Sequence, residues 1–109
     1  MISVGENTLY VFGGCGAVGR LNDLHRFDVE LNTWTLLAVA PESLSGRGGA
    51  GFVSNAQGTK LYVVGGFCGK ESNGVWEYDI ANNSWSTVLE EGNDRLLPFS
   101  VSCGVTIAD

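Results

Sequence analysis

The sequence predicts an all-β fold built from two copies of one four-stranded antiparallel unit. Three observations predict it: an internal repeat, a high density of glycine, and the lack of any sustained helical spacing of apolar residues. LYVFGG at 9–14 returns as LYVVGG at 61–66, Phe27-Asp28 as Tyr78-Asp79, and Asn32-Thr33-Trp34 as Asn83-Ser84-Trp85, at offsets of 52, 51 and 51 residues. Separate landmarks holding one such offset are the signature of stacked supersecondary units. The 16 glycines are about twice the usual share of roughly 7% and follow no collagen period, so they mark turns and close backbone approach. No segment keeps apolar residues at spacings of three and four, as a helix against a core would.

Each element follows from its residues. Residues 2–4 are part of a first strand. The apolar runs at 9–12 and 61–64 predict second strands, the continuous run at 9–12 fitting a strand covered on both faces. Residues 24–29 and 75–80 alternate apolar or aromatic with polar side chains, as third strands do. The Asn-bearing stretches 30–33 and 81–84 predict hairpin turns, and 34–39 and 85–89 predict fourth strands. Residues 49–54 and 99–107 carry small side chains and predict further first strands. The units are therefore 1–46 and 47–96, with an extra first strand over 97–109.

One motif suggests a different chemistry. Gly14, Gly16 and Gly19 spell G-x-G-x-x-G directly after an apolar strand, as in a dinucleotide-binding turn. That site needs a helix after the third glycine, a βαβ unit and an acid about 20 residues on. Residues 20–28 are too short for this, and the second copy, VVGGFCGKES, keeps only the glycine pair. What repeats is apolar-apolar-Gly-Gly, so the glycines are architectural.

Composition removes other classes. With 44% hydrophobic residues and a mean hydropathy of +0.11, the chain has material for a core. Its net charge is −6, and Arg20, Arg26, Arg47, Lys60, Lys70 and Arg95 are scattered. Nucleic-acid and anionic-membrane binders carry a basic stripe; neither partner is expected. The opening MISVGENTLY has no basic n-region or apolar h-region of a signal peptide. Cys15, Cys68 and Cys103 are odd in number and lack C-x-x-C spacing, which predicts reduced, buried thiols and a cytoplasmic setting rather than a disulfide framework or zinc site.

An apolar strand ending in Gly-Gly, a loop, an aromatic-Asp pair and a Trp seven residues after the aromatic resembles the kelch repeat. Gly13-Gly14, Phe27-Asp28 and Trp34 form one set, and Gly65-Gly66, Tyr78-Asp79 and Trp85 the other. The resemblance implies kelch-type β-propeller blades: about two four-stranded antiparallel blades, a partial propeller. WD repeats have a similar period but need a Trp-Asp dipeptide, absent here. Within kelch proteins, residues 19–24, 42–44 and 45–51 look like segments of plant nitrile-specifier and epithiospecifier proteins. That likeness implies ferrous iron held by a Glu-x3-Asp-x3-His loop. Glu90 and Asp94 keep the spacing here, but Pro98 stands where His is needed, so no cofactor is expected of this chain. The copper chemistry of galactose oxidase, another kelch propeller, needs several histidines, whereas this chain has His25 alone.

Catalysis has no candidate: there is no Gly-x-Ser-x-Gly elbow, and Glu90-Glu91 reads as solvated charge. Two arginines are the candidate partner or ligand contacts. Arg47 opens a first strand, which in a propeller lies nearest the axis, and Arg20 falls in the loop between second and third strands. Each offers a rigid donor fork to a carboxylate or other anion. The expected function is a non-enzymatic scaffold that binds a protein partner through loops 15–23 and 67–74, because loops on rigid sheets carry recognition. The alternative is a fragment of a specifier-like protein that alters the products of glucosinolate hydrolysis. A propeller closes with four to eight blades. The chain is therefore expected to be a piece of something longer, or a homo-oligomer completing the ring, three copies giving six blades.

Overall fold

A computed structural model describes residues 1–17 and 19–99. Among the described residues, eight strands form two four-stranded sheets. The first contains β1 (Ile2–Val4), β2 (Thr8–Gly16), β3 (Gly19–Asp28) and β4 (Thr33–Leu36). The second contains β5 (Gly51–Ser54), β6 (Lys60–Val64), β7 (Val75–Asp79) and β8 (Ser84–Leu89). In each, the strands are hydrogen-bonded antiparallel in sequence order. These are the two four-stranded blades of a partial propeller. The part of the expected strand at 99–107 that follows Phe99 lies outside the described residues.

The repeated aromatic-Asp and Asn-x-Trp pairs close the outer hairpins. Asp28 Oδ1 accepts from the Leu31 amide at 2.9 Å, and Asp79 Oδ1 from the Asn82 amide at 3.2 Å. Asn32 and Asn83 then turn the chain in the left-handed region, φ 54° and 49°, which asparagine tolerates better than most residues. Directly across each hairpin the aromatics meet: Phe27 and Trp34 at 4.7 Å between ring centroids, Tyr78 and Trp85 at 5.2 Å. Asn82 also donates through its side chain to Asp79, and these bonds hold the Asp79 carboxyl below its ordinary range.

The core lies between the sheets. Tyr10 and Leu24 of the first meet Leu61 and Tyr78 of the second, with Phe12, Leu37 and Ala38 packed alongside. Ala40 and Leu44, from the linker between the sheets, cover Val63 and Trp76. Full burial of one such apolar side chain contributes about 1.5–3 kcal/mol, so this seam supplies most of the stabilisation that joins the blades.

The Gly-Gly pair has a specific task. Gly13 and Gly14 adopt φ 67° and 99°, and Gly65 and Gly66 φ 66° and 102°. This turns the Gly14 amide onto the Arg47 carbonyl (2.9 Å), while the Arg47 amide donates to the Leu21 carbonyl (3.0 Å). The second copy repeats both bonds: Gly66 to the Phe99 carbonyl at 2.9 Å, and Phe99 to the Ser72 carbonyl at 3.0 Å. Each blade thus staples, through backbone alone, the chain segment that follows it.

Several expectations are corrected. Residues 15–23 are not a loop. β2 shifts register between Phe12 and Gly14, and pairing then continues through Cys15–Arg20 to Gly16–Gly19, making a long hairpin arm. Arg20 is therefore a strand residue, and Arg47 precedes β5 instead of opening it. β4 ends at Leu36: Leu37 still donates to the Leu24 carbonyl of β3, and the chain then crosses to the second sheet, where Ala38 donates to Asn83 Oδ1. The run at 9–12 is not covered on both faces; Tyr10 is buried, but Leu9 and Val11 are half-buried, because among the described residues no second sheet lies on that face of the first. The thiols also differ: Cys15 is exposed and Cys68 half-buried, both free, and Cys103 lies outside the described residues.

Two predictions follow from these contacts. A Cβ on Gly13 would sit 2.8 Å from the Arg47 carbonyl oxygen, whereas one on Gly5, at φ 70°, meets nothing within 4 Å. Gly5→Ala is expected to cost about 1 kcal/mol, for the backbone conformation alone. Gly13→Ala should cost about 3 kcal/mol, strain plus overpacking; urea midpoints at unchanged m-value measure both. For Asp79 the folded carboxyl titrates below the unfolded one. Its contribution is therefore present above the ordinary carboxylate range and is lost as pH falls through the lowered value. Melting temperatures of wild type and Asp79→Ala should accordingly converge as the solution is acidified, and a gap that stays constant with pH would contradict this.

Candidate interaction surface

Three segments merge at the ends of the sheets where second strands hand over to third strands. The β2–β3 hairpin arm supplies Cys15 and Arg20, the linker supplies 44–48, and the connection from β6 to β7 supplies Phe67 and Cys68. Glycine makes the merger possible. A Cβ on Gly46 would collide with the Arg20 carbonyl, so only glycine lets the linker pass beneath the arm. Gly48 and Phe67 exchange two backbone hydrogen bonds, 3.1 and 2.8 Å, and Asn22 Nδ2 donates to the Leu44 carbonyl at 3.0 Å. Arm, linker and loop form one continuous surface.

The two candidate arginines meet here at different depths. Arg20 is exposed, and its guanidinium lies 4.7 Å over the Phe67 ring, a cation–π contact across the two blades. Arg47 is only 2% exposed. Its guanidinium stacks 4.6 Å over the Trp76 ring. Nε donates to the Ser45 carbonyl (2.9 Å), and one terminal nitrogen donates to the Gly65 carbonyl (3.0 Å) and Ser72 Oγ (2.9 Å). Burial lowers the Arg47 pKa, with Cys68 and Glu91 opposing the shift. A guanidinium remains charged through such a shift, so Arg47 is a buried cation held by carbonyls, hydroxyls and an aromatic face.

Two polar residues escape the sequence reading. Ser72 is fully buried and links Arg47 to Glu91, donating to Glu91 Oε2 at 2.5 Å. Asn73, also buried, donates to the carbonyls of Asn93 (2.7 Å) and Leu96 (3.0 Å) and accepts from the Gly92 amide (2.8 Å). Together they fix the chain as it leaves the second sheet. Ser72-Asn73-Gly74 reads locally as an ordinary loop, and nothing in its composition signals burial.

Of the remaining candidates, His25 Nδ1 lies 3.4 Å from Asp23 Oδ2 on the first sheet's open face. Among the described residues no three His, Cys, Asp or Glu side chains converge as metal ligands would, and no helix is long and apolar enough to cross a membrane.

The whole chain, residues 1–109, matches the family described as the KLHDC2/KLHL20/DRC7 Kelch-repeats domain. It is similar to a kelch repeat-containing protein of Dictyostelium discoideum, at 33% identity over 87 residues, 76% of this chain and 13% of that protein. It is also 32% identical over 93 residues to beta-scruin of Limulus polyphemus, covering 77% of this chain and 10% of the relative. Host cell factor of Drosophila melanogaster is 31% identical over 91 residues, 82% of this chain and 6% of the relative. The chain thus spans about a tenth of the length of these relatives.

Arg47→Lys tests the buried cation. A lysine point charge cannot serve the Ser45 and Gly65 carbonyls and Ser72 together while lying flat on Trp76. The substitution is expected to destabilise the fold by about 2–4 kcal/mol. Arg20→Ala, at an exposed stack, should cost less than about 1 kcal/mol. Denaturant titration of both variants measures the difference.

Proposed function

Because the chain belongs to the kelch-repeat family, we propose that it acts as a protein-interaction scaffold, with partner contact at the surface formed by the β2–β3 arm, the linker and residues 67–74. The observation that supports this most directly is the Arg20–Phe67 stack, 4.7 Å from guanidinium to ring. It places a cation and an aromatic side by side on a surface anchored by two sheets. Arginine and aromatic residues are the types that dominate binding energy at protein interfaces. Arg20 meets the partner directly, and Arg47 holds the floor beneath it by bonding Gly65 and Ser72. A partner presenting a carboxylate beside an apolar side chain suits this pairing.

The division into units at 1–46 and 47–96, with 97–109 opening a further one, belongs to the same reading. Its support is that Phe99 repeats on the second blade the two backbone bonds that Arg47 makes on the first. A reducing, cytoplasmic setting is likewise part of the reading, supported by the free thiols of Cys15 and Cys68. The specifier alternative has no comparable support: the relatives named above are not specifiers, and the segment carrying that likeness, 45–51, serves here to route the linker under the arm.

The experiment compares proteins that co-purify with the wild-type chain, with Arg20→Glu/Phe67→Ser, and with Gln57→Glu, which lies in the β5–β6 turn away from this surface. A partner retained by wild type and Gln57→Glu but lost by the double variant is the expected result. Equal retention by all three would move the binding surface elsewhere.

A further inference from the structure

The two blades tie down the segment that follows them with the same side chain. Asn22 Nδ2 donates to the Leu44 carbonyl, and Asn73, 51 residues on, donates to the Leu96 carbonyl, both at 3.0 Å. Their successors differ. Asn22 precedes Asp23, whereas Asn73 precedes Gly74 and is the one asparagine in the chain followed by glycine. Packing requires that glycine, because a Cβ at position 74 would collide with the buried Trp76 indole.

Asn-Gly is the most labile asparagine linkage, since no Cβ shields the glycine nitrogen from the neighbouring side chain. Once hydroxide has taken its proton, the Gly74 nitrogen attacks Asn73 Cγ. The N–Cγ bond forms, the Cγ–Nδ2 bond breaks, and Nδ2 leaves as ammonia. Water then opens the five-membered succinimide. Opening at Cγ gives aspartate; opening at the backbone carbonyl gives isoaspartate, with the chain running on through the former side chain. The net change is amide plus water to carboxylate plus ammonium.

The folded chain blocks these steps. Asn73 is 4% exposed. Its Nδ2 is held by the Asn93 and Leu96 carbonyls, its Oδ1 by the Gly92 amide, and its carbonyl by Asn93 Nδ2. The Gly74 amide donates to Ser72 Oγ at 3.2 Å, and the Gly74 carbonyl accepts from the Gly65 amide at 2.9 Å. To cyclise, Asn73 must turn Cγ toward the Gly74 nitrogen, and that breaks its side-chain bonds to residues 92–96.

We propose that Asn73 is a self-modifying site: it deamidates when residues 92–96 lift away from it, and the product bars their return. A carboxylate at position 73 has no N–H for the Asn93 and Leu96 carbonyls and sets its own oxygens against theirs. Isoaspartate also lengthens the backbone beside Ser72, the residue that links Arg47 to Glu91. The chain therefore accumulates an irreversible record of how often this segment has opened. The inference stands whether or not the loop surface binds a partner.

Peptide mass spectrometry of the full chain, aged at mildly alkaline pH, reads the amide-to-carboxylate change at positions 73 and 22. In chain unfolded by guanidinium, Asn73 is expected to convert well ahead of Asn22. In the folded chain its conversion should be slower by about a hundredfold or more, in proportion to the population of the open form. Guanidinium below the unfolding midpoint should accelerate it before the global transition. Asn93→Ala, which removes the bond to the Asn73 carbonyl, should accelerate it about tenfold while circular dichroism shows the fold retained. Should Asn93→Ala unfold, the guanidinium series alone carries the comparison. Asn73→Asp, the product made directly, should unfold at lower denaturant than wild type. Equal rates in folded and unfolded chain overturn the proposal, as does an unfolded chain in which Asn73 is no faster than Asn22. So does conversion that tracks the global transition alone, a folded Asn93→Ala chain with the wild-type rate, or an Asn73→Asp chain as stable as wild type.

Discussion

The arrangement of this protein depends on two backbone hydrogen bonds made by one residue in the segment that follows each blade. Arg47 gives its amide to Leu21 and its carbonyl to Gly14, and Phe99 does the same with Ser72 and Gly66. The bonds ignore side-chain identity, which is why a buried arginine and a phenylalanine can occupy equivalent positions. They require the glycine pair, because only a left-handed backbone at the end of the second strand aims an amide outward at the passing chain. Once that crossing is fixed, the linker must run over the face of the next sheet. Leu44 and Ala40 then cover Val63 and Trp76, and the inter-sheet core follows.

The loop surface is a by-product of the same crossing. Pinning the linker to the first blade draws the hairpin arm, the linker and the β6–β7 connection to one place, and that proximity lets Arg20 of one blade lie over Phe67 of the other. Arg47 serves both levels at once. Its backbone staples the blades, while its side chain ties Trp76, Gly65 and Ser72 into the floor of that surface.

The repeat made the architecture legible before any coordinates: both outer hairpin turns and both four-stranded antiparallel sheets lie where the repeated residues place them. Periodicity and turn chemistry are local signals, and this fold is dominated by strand pairing between sequence neighbours. What escaped was set by contacts between blades. The extension of β2 past its glycines depends on a register shift that no composition announces. The depth of Arg47 depends on Trp76 and Ser72, more than twenty residues away. The exposure of Trp34 differs from that of Trp85 only because of what stands beside each sheet, a fact invisible to a pattern that spells both alike.

The staple joins blades through backbone alone, and each repeat carries both its donor end and its acceptor end. Any in-frame duplication or loss of one whole repeat therefore leaves every remaining joint chemically intact. A change of blade number by whole repeats thus keeps these two backbone bonds, while the side chains across each seam must still match. The one-residue difference between the arm of the first blade and the corresponding loop of the second lies beyond the joint, so length changes there leave the two backbone bonds as they are.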